Sequence, residues 1–341
     1  MRVAVLGSGS WGTALAKVLA ENKHETTLWG IEPEVIESIN MHQENERYLP
    51  EAKLPSELEA TLDLSQAIRR VELIVLAVPS QAIREVCQTL KEELQHQEIA
   101  PIIVHVAKGI ERGTELRLSQ VIEAVMPRET YRGIAALSGP SHAEEVARRD
   151  LTSISAASED LAVAEAVQQA FMNDYFRVYT NQDVLGVELG GALKNIIAVC
   201  AGIIAGLGYG DNAKAGLITR GLAEITRLGV KLGADPLTFS GLSGVGDLIV
   251  TCTSVHSRNW QAGNLLALGL NLEQVQQKIG MVIEGTVACQ VARNLARSQG
   301  VEMPLTEMLY HYLYEDPDFS IQEAVQQLML REGKHETTYY D

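Results

Sequence analysis

Arg2-Val3-Ala4-Val5-Leu6-Gly7-Ser8-Gly9-Ser10-Trp11-Gly12-Thr13-Ala14-Leu15-Ala16 lies at the start of the chain and decides its fold. Arg2 to Leu6 is apolar and β-branched, the signature of a buried strand, and Thr13 to Glu21 has the periodicity of a helix packed on a sheet. Between them Gly7, Gly9 and Gly12 fall at the spacing G-x-G-x-x-G, after a strand and at the start of a helix. That is the context a dinucleotide pyrophosphate requires. Gly7 permits the tight turn, Gly9 lets the backbone approach the diphosphate, and Gly12 lets helix pack on strand. The helix N-terminus offers free N–H groups to the anion.

Outward from this βα unit, strand-like runs follow at Thr26–Trp29, Glu72–Val78, Ile102–Val106 and Ile134–Leu137, mostly separated by helical stretches such as Gln81–Leu94 and Glu115–Val125. Near-continuous apolar strands alternating with helices predict a parallel, doubly wound sheet. Leu151–Ala156 and Phe176–Tyr179 add two strands around the helical pattern of Asp160–Phe171, so a dinucleotide-binding domain is expected over residues 1–182. From Val184 onward the sequence reads as helices rich in Ala, Leu and Gly, which predicts an all-α domain over residues 183–330. The tail, residues 331–341, has no helical apolar face and is expected to be loosely ordered.

With 341 residues, at roughly 150 per domain, two domains with real cores are expected. The apolar run Ile196 to Leu207 falls short of the roughly 18–20 residues needed to cross a bilayer, so no membrane span is expected. The N-terminus has no basic region, long apolar core or cleavage site, which predicts a cytoplasmic protein. Lys and Arg number 28 against 44 acids, a net charge of −16, which speaks against a nucleic-acid partner held by phosphates. Cys87, Cys200, Cys252 and Cys289 lie far apart without a C-x-x-C pair, so neither a metal site nor a disulfide framework is expected. None of the eight histidines has a triad-like or metal-binding neighbourhood.

Several polar groups fall where chemistry is done. Lys108 follows the Ile102–Val106 strand, on the edge where open α/β sheets bind ligands, and a surface lysine is the equal alternative. In Ser138-Gly139-Pro140-Ser141-His142-Ala143, Ser141 reads as a helix N-cap or as a contact to substrate or cofactor. Lys194 and Asn195 begin an apolar helix, where an ammonium needs a partner or must snorkel to solvent. Asp247 in Gly244-Val245-Gly246-Asp247-Leu248 is either that partner or a helix cap. Arg258 and Asn259, after Ser257, offer a planar donor fork and an amide that suit a phosphate ester.

Together these segments resemble the NAD(P)-dependent glycerol-3-phosphate dehydrogenase family: G-S-G-S-W-G, V-A-K-G, S-G-P-S-H-A-E-E, G-G-A-L-K-N, G-V-G-D-L-I-V-T-C and S-R-N occur in that order over nearly the whole chain. The resemblance implies a doubly wound Rossmann domain followed by an all-α domain of the 6-phosphogluconate-dehydrogenase type. It implies interconversion of sn-glycerol 3-phosphate and dihydroxyacetone phosphate, for glycerophospholipid synthesis. By motif it implies Lys194 as general acid and base, assisted by Lys108 and Asp247. It implies substrate contacts from Lys108, Gly139, Ser141, Lys194, Asn195, Asp247, Thr251, Ser257, Arg258 and Asn259. Cofactor contacts are implied at Gly7, Gly9, Ser10, Trp11, Gly12, Lys108, Ala143, Arg258, Val282 and Glu284.

Where many bacterial members carry arginine after the second strand, this chain has Trp29-Gly30-Ile31-Glu32. An acid there accepts from a ribose 2′-hydroxyl and repels a 2′-phosphate, so NAD(H) is expected over NADP(H), with only a more distant cation such as Arg47 or Lys53 to admit the latter. Trp260-Gln261 replaces basic residues after S-R-N, which makes the expected phosphate pocket less cationic. A homodimer through the helical domain is expected. A β-hydroxyacid or 6-phosphogluconate-type dehydrogenase shares the two-domain plan, and a non-catalytic dinucleotide sensor shares the glycine turn. The S-R-N and D-L-I-V-T-C blocks speak against the first, and the intact Lys194 and Asp247 against the second.

Overall fold

The computed structural model describes residues 1–316, 319–333 and 335–336. Its first compact unit comprises Met1–Ala107 and Leu116–Val184. Strands β1 (Arg2–Leu6), β2 (Glu25–Trp29), β3 (Glu59–Thr61), β4 (Leu73–Leu76), β5 (Ile102–His105), β6 (Gly133–Ser138), β7 (Thr152–Ala157) and β8 (Phe176–Asn181) form one eight-stranded sheet. The spatial order is β3-β2-β1-β4-β5-β6-β7-β8, so the chain reverses direction across the sheet between β1 and β4. Helix α1 (Ser10–Glu21) follows β1, and α2 (Pro33–His42) follows β2.

The continuous apolar strands have a direct cause: both faces are covered. Val3 and Val5 of β1, with Leu73 and Val75 of β4, enter one core, which also holds Leu15, Leu19 and Phe171. Ala4, Leu6, Ile74 and Leu76 enter the other, with Ile83, Leu90 and Ile122. Each fully buried branched or aromatic side chain contributes about 1.5–3 kcal/mol.

The sheet departs from the expected all-parallel order at one junction, where β7 runs antiparallel to β6 with Ser138 opposite Ser155 and Ala136 opposite Ala157. Between these strands the only helix is Ala143–Ala147. Five residues of helix span about 7–8 Å, too short to return the chain to the far edge of the sheet, so β7 starts where β6 ends. The three-residue β3, Glu-Ala-Thr, is too short to show an alternating pattern in the sequence.

The second unit comprises Lys108–Glu115 and Leu185–Asp341. This unit takes in the early segment Lys108–Glu115, which directly follows a strand and so reads in sequence as part of the sheet domain. The expectation for the tail after Leu330 falls largely outside the described residues. At the centre of this unit is the helix Val184–Gly206, packed by Ile225, Leu228, Phe239, Leu248, Ala262 and Cys289. By length and composition this helix could cross a membrane, contrary to the sequence count, which started only at Ile196; 83% of its apolar window is buried in the fold.

Two close approaches seat the neighbours of that helix. A Cβ on Gly263 would stand 1.9 Å from the carbonyl oxygen of Val199, and one on Gly285 would stand 2.4 Å from that of Asn195. Only glycine allows the helices Arg258–Ala267 and Glu284–Gln299 to touch this backbone.

Candidate active site

In the first unit the glycine turn divides into two kinds of glycine. Gly7 has φ +121, and a Cβ there would stand 2.4 Å from the Ala77 carbonyl oxygen; one on Gly12 would stand 1.9 Å from the Gly7 carbonyl oxygen. Packing therefore requires both. A Cβ on Gly9 would meet nothing within 4 Å, so the fold itself makes no demand for glycine at that position. Gly9 caps α1, whose first residues are Ser10 and Trp11, and its open side is where backbone N–H groups can be approached by an anion.

Beyond β2, the Oε1 atom of Glu32 accepts from the Tyr48 hydroxyl at 3.0 Å and pairs with Arg47 Nη1 at 2.9 Å. Burial and the adjacent carboxylate push the Tyr48 hydroxyl up, which keeps it a donor. The loop after β6 carries Gly139 at φ +148, and the Ser141 hydroxyl donates to the Gly139 carbonyl at 2.9 Å. The helix N-cap is His142, whose side chain does not cap the helix, rather than Ser141, and Ala143 is the first helical residue.

In the second unit, Lys194 sits in the middle of the helix Val184–Gly206, not at its start. Glu188 and the Gly190-Gly191 pair, which in sequence lead into the apolar run, already lie inside the helix. The Lys194 ammonium does not snorkel: the residue is 4% exposed, pairs with Asp247 Oδ1 and donates to Thr251 Oγ1 at 2.7 Å. Lys108 Nζ pairs with the other carboxylate oxygen of Asp247 at 2.8 Å. Asp247, on the helix Asp247–Thr253 directly after the π-helical turn Leu242–Gly246, thus bridges two ammonium groups.

Burial holds Lys194 down to about 7, with the Asp247 carboxylate pulling up and the Lys108 ammonium pushing further down. An amine poised near neutrality can both give and take a proton. A chain of amides adjoins it: Asn195 Nδ2 donates to the Lys108 carbonyl at 3.2 Å, Asn259 Nδ2 donates to Asn195 Oδ1 at 2.9 Å, and the Gly285 N–H donates to Asn259 Oδ1 at 2.9 Å.

These contacts bring Lys108, Lys194, Asn195, Asp247, Thr251 and Asn259 into one network. Ser257 caps the helix Arg258–Ala267, accepting from the Trp260 N–H at 3.3 Å. Arg258, exposed at the first position of that helix, points Nη1 at Met281 Sδ, 3.5 Å away and next to Val282; Glu284 opens the helix Glu284–Gln299.

The family model described as the NAD-dependent glycerol-3-phosphate dehydrogenase N-terminus matches residues 2–164, and that of the C-terminus matches residues 183–326. Glycerol-3-phosphate dehydrogenase [NAD(P)+] of Enterococcus faecalis is 58% identical over 338 residues, 99% of this chain and 98% of that one. The chain belongs to the NAD-dependent glycerol-3-phosphate dehydrogenase family. The enzyme of the same printed name from Bacillus pumilus is 54% identical over 335 residues, covering 98% of this chain and 96% of that one. The crystal structure of glycerol-3-phosphate dehydrogenase from Coxiella burnetii superposes with TM-score 0.89 at 38% identity, covering 97% of this chain and 99% of that one.

For a member of this dehydrogenase family the glycine turn fits a nicotinamide dinucleotide, because Gly9 alone of the three leaves open space that a diphosphate can fill. One residue the sequence did not single out organises the turn. Asn45, with no exposed surface, donates from Nδ2 to the Ser8 carbonyl and to Thr13 Oγ1, each at 2.8 Å, and its Oδ1 accepts from the Tyr48 N–H at 3.0 Å. No local pattern marks it, since its partners lie in a segment distant in sequence.

Proposed function

We propose that this chain is an NAD(P)-dependent sn-glycerol-3-phosphate dehydrogenase, which interconverts sn-glycerol 3-phosphate and dihydroxyacetone phosphate and supplies the former for glycerophospholipid synthesis. The observation that carries the reading is the buried Lys194 ammonium, lowered to about 7 and paired to Asp247. When bound, a nicotinamide dinucleotide would supply or accept the hydride at the substrate's reacting carbon, and Gly7, Gly9, Ser10, Trp11, Gly12 and Ala143, with Val282 and Glu284 by the family motif, would hold it.

As the ketone is reduced its oxygen gains negative charge, which the Lys194 ammonium stabilises and then protonates, with Lys108 as a second cation. In the reverse direction the neutral Lys194 amine takes the hydroxyl proton. Asp247 orients both ammonium groups. Arg258, Asn259 and Ser257 grip the phosphate, and Asn195, Thr251, Gly139 and Ser141 complete the substrate contacts; this remote binding energy positions the reacting carbon.

Glu32, three residues beyond β2 and at the N-cap of α2, would accept from the ribose 2′-hydroxyl and so favour NADH over NADPH. A cytoplasmic homodimer belongs to the same reading, and sedimentation of the purified protein reads out the dimer. The deciding experiment is steady-state reduction of dihydroxyacetone phosphate with NADH and NADPH side by side. Absence of turnover with either sinks the activity, and kcat/KM for NADPH equal to or above that for NADH sinks the preference.

A further inference from the structure

Resting on the nucleotide reading above, we propose that Arg47 is the group through which this chain admits a 2′-phosphorylated dinucleotide, and that Glu34 holds Arg47 back. A single nitrogen, Arg47 Nη1, serves two carboxylates: Glu32 Oε1 at 2.9 Å and Glu34 Oε1 at 2.8 Å. A guanidinium carries five N–H donors in a planar fork that matches a phosphate two at a time. The Arg47 and Glu34 side chains are 52% and 64% exposed, and ion pairs so exposed contribute only about 0.2–1 kcal/mol, so an incoming dianion can replace one partner cheaply.

Position is the second part of the argument. Asn45 bonds to the carbonyl of Ser8 inside the glycine turn and to the backbone of Tyr48, which ties the segment carrying Arg47 and Tyr48 to the turn itself. The guanidinium carbon of Arg47 lies 5.1 Å from the centre of the Tyr48 ring, whose hydroxyl is bound to Glu32. Arg47 is therefore registered to the same turn as the diphosphate and stands on the carboxylate that would read the ribose. Lys53, a second cation in reach by sequence, has its side chain 77% exposed and pairs with Glu44.

The chemistry then separates the two cofactors. A 2′-hydroxyl donates to Glu32 and leaves Arg47 on its two carboxylates. A 2′-phosphate is repelled by Glu32 and Glu34, and binds only as Arg47 exchanges Glu34 for the phosphate oxygens. Glu34 thus acts as a brake on NADP(H) use and leaves the Glu32 contact to NAD(H) untouched.

The test is calorimetric titration of the full-length protein with ADP and with 2′,5′-ADP, alongside the NADPH/NADH ratio of kcat/KM. One charge-assisted hydrogen bond is worth about ten- to a hundredfold, so Arg47→Gln should lose 2′,5′-ADP affinity by that factor and far more than it loses ADP affinity. Glu34→Gln should gain up to about fivefold for 2′,5′-ADP alone, and the NADPH/NADH ratio should rise in Glu34→Gln and fall in Arg47→Gln. Equal losses for both nucleotides in Arg47→Gln, unchanged 2′,5′-ADP binding there, or no gain in Glu34→Gln overturns the proposal. If the unsubstituted protein binds neither nucleotide, the nucleotide reading fails first and this one with it.

Discussion

The Asp247 carboxylate is 1% exposed and lies between two ammonium groups, whereas the Arg47 guanidinium is half exposed and lies between two carboxylates. Both clusters join one charge to two of the opposite sign, yet they behave differently because of water. Asp247 and Lys194 have given up nearly all their hydration, which costs several kcal/mol per ion and makes each hard to replace for the other, while Lys108 keeps part of its water. Burial there also tunes an amine to near neutrality. Around Arg47 the ions keep most of their water, so partners exchange at little cost and tuning is weak. The buried cluster suits proton transfer, and the exposed one suits choosing between ligands.

The contrast is broken most severely at Lys194. Lys194→Met should reduce turnover by at least ~10²–10⁴-fold while cofactor binding, followed by NADH fluorescence, survives. A variant keeping more than about a tenth of turnover would remove Lys194 from the chemistry.

Arg258 is exposed like Arg47 but, in the function proposed above, holds the substrate phosphate. Arg258→Ala should lower kcat/KM for glycerol 3-phosphate about ten- to a hundredfold, and much less for a substrate lacking the phosphate. Unchanged selectivity would show that the phosphate is held elsewhere. A smaller effect is expected at Glu32, where Glu32→Arg should narrow or reverse the preference for NADH, measured as the ratio of kcat/KM values; a ratio that stays put rejects Glu32 as the ribose reader.

The subtlest effect is on pH. With Lys194 near 7, ketone reduction, which uses the ammonium, should fall as pH rises through that value, and alcohol oxidation, which uses the amine, should rise over the same window. Asp247 pulls Lys194 up and Lys108 pushes it down, so Asp247→Asn should move both midpoints to lower pH and Lys108→Met to higher pH. Losing one partner of a buried pair costs about 3–5 kcal/mol, so the Asp247→Asn profile is taken below its reduced melting temperature. Midpoints that ignore both substitutions would mean that the titration belongs to another group.

Much of this was legible before any coordinates. Covered faces make the central strands β1, β4 and β5 continuously apolar, the outer ones show as short β-branched or aromatic runs, and so seven of the eight strands announce themselves in sequence, while the glycine turn needs only local spacing to be read. Lys194 stood out because an ammonium in an apolar helix demands a partner, and Asp247 was a candidate for that role. What escaped was set by distance along the chain: the amide chain from Asn195 through Asn259 to Gly285, and the buried Asn45, are defined by partners that no local pattern reveals. The antiparallel β7 escaped for a simpler reason, since its residues look the same whichever way the strand runs.

That reversed strand also bears on the order in which the sheet assembles. Ser138 meets Ser155 after a short excursion of chain, while Val3 must find Leu73. Loop closure grows as the logarithm of length, so two doublings of the loop favour the β6–β7 pair by about 1 kcal/mol before any side chain packs. The segment bearing Gly139 and Ser141 would then be closed into a turn early in folding, and the glycine-rich turn at the N-terminus would be completed only once β4 arrives to flank β1. Pulse-labelled amide exchange should find β6 and β7 protected ahead of β1, and simultaneous protection would mean that the sheet condenses as one piece.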